Sequence, residues 1–181
     1  MDRSDLLAQI PGLRRYARAL TGNTWAADDL VQDTLERACS KWRLWTVGSD
    51  LRAWLFTVMH NLYASDMRHS LRRQQAGTPV DVDTLAHELA APDDTTALEI
   101  DLQRCLLQLP EEQRTVLLLV SMEDMSYEQV AQVTGSPLGT VMSRLSRARS
   151  RLQQLLDAPA VAPPASSVGP SSAAPVLRRL K

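Results

Sequence analysis

The chain has 181 residues, with 20 Lys and Arg against 21 Asp and Glu, 44% hydrophobic residues, and four Trp, three Tyr and one Phe. That length closes one large core or two small ones of roughly 75 to 110 residues each. Cys39 and Cys105 have neither a CxxC partner nor Cys/His spacing, which excludes a disulfide or zinc scaffold and fits buried, reduced thiols. No run approaches the ~18 apolar residues of a membrane span, and the N-terminal MDRSDLLAQIPG lacks a signal peptide's apolar stretch. The expectation is a soluble, cytoplasmic protein with no membrane insertion.

The net charge of -1 hides a segregation. Residues 1–76 carry 11 basic and 8 acidic side chains, and residues 77–101 carry none and seven. Residues 102–157 hold six of each, and the remainder adds only Arg178, Arg179 and Lys181. Blocks of opposite sign suggest a basic working surface and an acidic connector.

Nearly every periodic segment repeats at 3.6 residues and none alternates at two, so the fold class is all-α. Ser4 can cap a helix that Pro11 ends or restarts, and Leu13, Tyr16, Ala17 and Leu20 continue an apolar stripe. After the turn Thr21-Gly22-Asn23, a second helix runs from about Thr24 to Trp42, with Ala27, Leu30, Val31, Leu35 and Ala38 inward and Asp29, Gln32, Asp33 and Glu36 outward. A third, from about Asp50 to Arg73, packs through Leu51, Trp54, Leu55, Val58 and Leu62 and ends in basic residues. Residues 77–95, rich in acid and small residues, have the composition of a flexible linker. Helical periodicity resumes at Thr96, Pro110 restarts it, and Val116 to Val120 reads as buried on most sides. Residues 158–181, with five Pro and no acid, read as a disordered tail. The expected plan is two small helical domains, 1–76 and 96–157, joined by an acidic linker.

Between Ser126 and Leu152 the pattern is more specific. Ser126 and Gln129 form a capping box, Gly135 falls where a short helix needs a residue tolerant of positive φ, and Ser136-Pro137 supplies an N-cap and first helical position. Two helices joined by so short a turn make a helix-turn-helix. Leu138, Val141, Leu145, Ala148, Leu152 and Leu155 share one stripe of the second helix, and Ser136, Gly139, Ser143, Ser146, Arg147, Ser150 and Arg151 lie opposite. Small, hydroxylated and Arg side chains suit close approach to a major groove. Arg144, Arg147, Arg149 and Arg151 fall within eight residues with no acid among them, unlike a solvated face built on i,i+4 pairs.

The third helix offers Trp54, His60, Asn61, Tyr63, Arg68 and His69, a mixture of rings, amide and cations suited to unpaired bases. Together, TWAADDLVQDTLERACSKW with DLRAWLFTVMHNLYASDMRHSLRR resembles region 2 of bacterial sigma-70 family factors. LPEEQRTVLLLVSMEDMSYEQVAQVTGSPLGTVMSRLSRARSRL resembles their region 4. Two such regions with only a short linker are similar to the extracytoplasmic-function group, over roughly Leu6 to Leu156.

The resemblance implies a promoter-specificity subunit of RNA polymerase, not an enzyme, with no cofactor or metal. It implies docking of Asp29, Gln32, Asp33 and Glu36 on the clamp helices of the polymerase largest subunit. Reading of the -10 element falls to Trp45, Asp50, Asn61 and Arg68. Contact with -35 DNA falls to Ser136, Gly139, Thr140, Ser143, Arg144, Arg147, Arg149 and Arg151. Control by an anti-sigma factor is also implied. Met142 stands where many relatives carry Lys or Arg, a departure from the family pattern that puts one -35 phosphate or base contact in doubt. A freestanding helix-turn-helix regulator is the alternative, and it leaves the acidic helix face and linker without purpose. A hydrolase built on His60, Asp66 and His69 fails on geometry, since His60 and His69 lie nine residues apart and so on opposite sides of one helix.

Overall fold

The computed structural model describes residues 3–42, 50–75 and 96–157. Trp45, the linker 77–95 and the tail 158–181 lie outside the described residues. All regular elements among the described residues are helices: α1 (Arg3–Thr21), α2 (Thr24–Ser40), α3 (Leu51–Gln75), α4 (Ala97–Leu107), α5 (Glu111–Ser121), α6 (Tyr127–Thr134) and α7 (Leu138–Asp157).

Local chemistry sets most boundaries. Gly22, at φ 72°, ends α1, and Asn23 caps α2 by accepting from the Ala26 N–H at 3.0 Å. Asp50 caps α3 by accepting from the Ala53 N–H at 3.1 Å, and Thr96 with Glu99 forms a capping box on α4. The expected break at Pro11 does not occur: α1 continues through it. Pro11 and Leu7 are both exposed, so the Leu7 carbonyl that loses its helical partner lies on the solvent side, where water can satisfy it.

Helix α2 packs between α1 and α3 with Ala27, Leu30, Val31 and Ala38 buried, as its periodicity indicates. Tyr16 and Phe56 meet edge to face with centroids 5.2 Å apart. The Val116 to Leu119 run is buried. Two expectations need correction. Cys39 is exposed and Cys105 only half-buried, because α2 turns its Cys39 edge away from α1 and α3. On α3, Leu55 is buried but Leu51, Trp54, Val58 and Leu62 are only partly so, while Ala53, Phe56, Met59 and Tyr63 are buried. Helix α3 is covered by α2 on one side and by α6 on another, and burial on two sides blurs a single apolar stripe.

The two helical groups pack onto one another. Helix α1 touches α4 and α5, α3 touches α6, and one continuous apolar core runs through both groups. Polar links cross the boundary. Arg114, 7% exposed, donates across it to the Tyr63 hydroxyl at 2.9 Å and, within its own group, to the Leu107 carbonyl at 3.3 Å. Gln103 donates to the Ala19 carbonyl at 3.1 Å, and Gln129 to the Asp50 carboxylate at 2.7 Å. Tyr63 is therefore a buried acceptor in this arrangement, not the exposed stacking ring its neighbours in sequence suggest.

Tyr63→Phe removes one of the few acceptors available to the buried Arg114 cation. It is expected to lower the unfolding free energy by about 1–3 kcal/mol, read from urea midpoints; an unchanged midpoint would show that Arg114 is satisfied without Tyr63.

Candidate nucleic-acid interface

Helix α6 opens with Ser126 accepting from the Gln129 N–H at 3.2 Å while the Gln129 side chain accepts from the Ser126 N–H at 2.9 Å. It closes on Gly135, at φ 62°, and the Ser136 N–H bonds back to the Ala131 carbonyl at 3.1 Å. The Pro137 carbonyl accepts from the Thr140 and Val141 N–H groups and so begins α7. The helix thus starts one residue later than expected, at Leu138, and Ser136 is not its cap: its hydroxyl accepts from Arg144 at 2.8 Å. Val130, Val133, Val141, Leu145 and Ala148 lock the two helices into the core. Leu138, expected in the buried stripe, is exposed at the start of α7.

The opposite face of α7 is the candidate groove-reading surface. Gly139, Ser143, Ser146, Arg147, Arg149, Ser150 and Arg151 are exposed, with Thr140 and Ser136 half-buried at its edge. A Cβ added at Gly139 would meet nothing within 4 Å. The chain therefore has no packing need for glycine there, and the missing side chain leaves room for something outside it. Arg147, Arg149 and Arg151 pair with no acid among the described residues. Arg144 differs: its guanidinium meets Glu112 Oε2 at 2.6 Å as well as Ser136, and only 21% of the side chain is exposed. In this arrangement Arg144 ties the turn and α7 to the start of α5.

On α3, Asn61 and Arg68 are exposed, and Arg68 also bonds the Ala64 carbonyl and the Ser65 hydroxyl. Asp50 is held by its capping and inter-group hydrogen bonds. His60 is turned inward with Nδ1 unpartnered; burial first, then the Arg144 and Arg68 charges, push its pKa below the ordinary value. On α2, Asp29, Gln32, Asp33 and Glu36 are all exposed, and Gln32 donates to Glu36 at 3.0 Å. Burial together with Asp29, Glu36 and Asp66 raises the Asp33 pKa. Asp33 and Glu36 line a shallow groove with Arg37, Ser40, Lys41 and Leu62. The candidate sites thus form two separate faces, acidic on α2 and basic on α7. What residue patterns did not reveal is the set that joins the two groups: Arg15, Arg52, Arg114 and Glu123. The one available signal was Gly12, an unexplained glycine inside a helix.

Two outcomes follow for duplex binding. Gly139→Gln should leave the melting temperature unchanged or higher, since glycine is a poor interior helix residue, yet abolish tight DNA binding in a gel-shift titration. Arg147→Ala should cost about 1–3 kcal/mol of discrimination between specific and scrambled duplexes, whereas Arg149→Ala should weaken both equally and flatten the salt slope. Stability should also depend on pH through His60. Its folded pKa lies below its unfolded one, so the unfolded chain takes up a proton first and stability falls as pH drops through about 6.5. His60→Gln should flatten that part of the melting-temperature profile, and an unaltered profile would clear His60 of the effect.

Residues 6–60 match the family model for the Sigma2 domain of PhyR, and residues 99–152 match that for Sigma-70, region 4. The chain is 43% identical over 155 residues to the ECF RNA polymerase sigma factor EcfG of Rhodopseudomonas palustris, covering 85% of this chain and 84% of the relative. It is 36% identical over 159 residues to the ECF RNA polymerase sigma factor SigL of Mycobacterium tuberculosis, covering 79% and 84%. Among solved structures it is similar to the sigma factor RpoE of Bartonella quintana, crystallised with the anti-sigma factor NepR. That match has a TM-score of 0.74 and 37% identity, over 86% of this chain and 96% of the other. Two region-specific matches in the right order, and relatives aligned over most of both lengths, show that this chain belongs to the extracytoplasmic-function RNA polymerase sigma factors.

Proposed function

We propose that this sigma-family chain is a promoter-specificity subunit that binds bacterial core RNA polymerase, recognises -35 and -10 elements and promotes strand opening. The observation that carries the reading is the pairing, in one chain, of an acidic α2 face (Asp29, Asp33, Glu36) with a basic α7 face (Arg147, Arg149, Arg151), neither of which meets an opposite charge in an ion pair among the described residues. A freestanding helix-turn-helix regulator accounts for the second face and not for the first.

In this reading residues 1–76 form the polymerase-binding and -10 domain. Asp29, Gln32, Asp33 and Glu36 meet Arg side chains of the clamp helices, where complementary charge steers and holds the encounter. Asn61 and Arg68 receive the opened -10 strand, together with Trp45 from the loop before α3. Asp50 joins them once its bond to Gln129 is released. Residues 96–157 form the -35 domain: Ser136, Gly139, Thr140 and Ser143 admit the backbone and base edges, Arg147 reads bases, Arg149 and Arg151 hold phosphates, and Arg144 positions the helix. Residues 77–95 act as the connector, and residues 158–181 as a dispensable tail. The chain contributes binding and no catalysis, since strand opening requires only that pockets and cations on the single strand offset lost stacking. No helix among the described residues is long and apolar enough to cross a membrane. An anti-sigma factor, as bound to the Bartonella quintana relative, is the proposed negative regulator.

The test is transcription from a random promoter library by sigma-free core polymerase with and without this protein. Selection of a common two-part motif is the expected result, and a transcript pool identical to that of core alone would refute the proposal. Asp33→Asn separates partner binding from folding. Because burial, then the neighbouring carboxylates, raises the Asp33 pKa, its charge costs the folded state stability at neutral pH, and removing it should leave the melting temperature equal or higher. Affinity for core polymerase should fall about fivefold, on the order of 1 kcal/mol; undiminished affinity would remove Asp33 from the interface.

A further inference from the structure

We infer that the free chain is held shut by an ionic latch centred on Glu123, and that the latch must open before the chain can serve a promoter. The inference rests on the sigma reading above for its second half only. Glu123 lies between α5 and α6, and its side chain is 0% exposed. Oε1 accepts from Arg15 Nε at 3.1 Å and Nη2 at 2.8 Å, and Oε2 accepts from Arg52 Nη2 at 2.7 Å. Arg52 also donates to the Glu123 carbonyl at 2.6 Å, and Arg15 to the Met122 carbonyl at 3.4 Å. Both cations come from the first helical group, Arg15 from α1 and Arg52 from α3, so every charged contact of this carboxylate crosses the boundary.

The sequence also makes room for the closed arrangement. Gly12 is an interior helix residue, ordinarily an unfavourable choice, and a Cβ there would stand 3.2 Å from Glu123 Oε2.

The boundary is also built to part. Buried polar atoms in a permanent interior are almost always hydrogen-bonded. Here His60 Nδ1 and Arg114 Nε are buried without a protein partner. The Tyr16 hydroxyl meets Thr115 across the boundary. Separation lets water reach the two partnerless nitrogens. The Arg15 and Arg52 side chains, 54% and 37% exposed, are already partly hydrated, so Glu123 is the charge whose surroundings change most on opening. Opening is required by size: a compact body of about 128 residues has a radius of gyration of about 14 Å, whereas about 25 base pairs between -35 and -10 centres span roughly 85 Å of duplex.

The test compares the wild-type chain with Glu123→Gln and with the double variant Arg15→Gln/Arg52→Gln, which leaves the helix-turn-helix untouched. Distances are read by single-molecule energy transfer between Cys39, exposed on α2, and Ser150→Cys, exposed on α7, in a Cys105→Ser background. Affinity for core polymerase is measured separately on unlabelled protein. Both latch variants should show a longer-distance population with the open-to-closed ratio raised at least about fivefold, and a matching gain in apparent core affinity, because a partner that binds only the open form is penalised by its scarcity. Distance distributions unchanged in both variants would overturn the latch. Longer distances with unchanged core affinity would overturn the claim that opening precedes assembly. Latch variants that open relative to the wild type, with neither they nor the wild type binding core, would instead refute the sigma reading and leave the latch standing.

Discussion

Helix α3 is covered on two sides, and much else in the structure follows from that. One side closes the first helical group against α2; another receives α6, the first helix of the helix-turn-helix. Phe56, Met59 and Tyr63 are buried, Phe56 edge to face with Tyr16 of α1. Once they are covered, Tyr63 becomes the acceptor for Arg114, Asp50 is drawn to Gln129, and Arg52 is brought within reach of Glu123. A helix proposed to handle an opened DNA strand is, in the closed chain, also the floor on which the duplex-binding unit rests.

The charges divide by whether the chain itself answers them. Glu123, Arg15, Arg52 and Arg144 are paired internally and hold elements in place. Asp29, Asp33 and Glu36 of α2 and the outer α7 arginines form no ion pair among the described residues, and burial together with acidic neighbours holds Asp33 above its usual pKa. Like charges crowded on one face work against folding, a cost that an outside partner of opposite sign would offset. This separation of structural from functional charge cannot be made by counting, since the two sets sum to nearly zero.

Much of the fold was legible in the residues themselves. The all-helical class, the second helix with its inward and outward faces, the capping box at Ser126, the left-handed Gly135 and the exposed Ser and Arg face of α7 all follow from local rules that act within one or two turns. The acidic α2 face was legible for the same reason. Pro11 misled because a proline on a solvent-facing turn loses a hydrogen bond that water can replace.

What the sequence by itself determined, then, is which segments are helical, which faces of them are apolar, and which family they belong to. Only the tertiary structure decided that α3 has two buried sides, that Arg144 and Asp50 are committed to internal partners, that Cys39 is exposed, and that Glu123 binds Arg15 and Arg52. The physical reason is distance along the chain. Glu123 is 108 residues from Arg15 and 71 from Arg52, and helical periodicity carries no information about which of many half-apolar faces will meet. That choice is made by the whole set of side chains packing at once, and it leaves in the sequence only isolated traces such as Gly12.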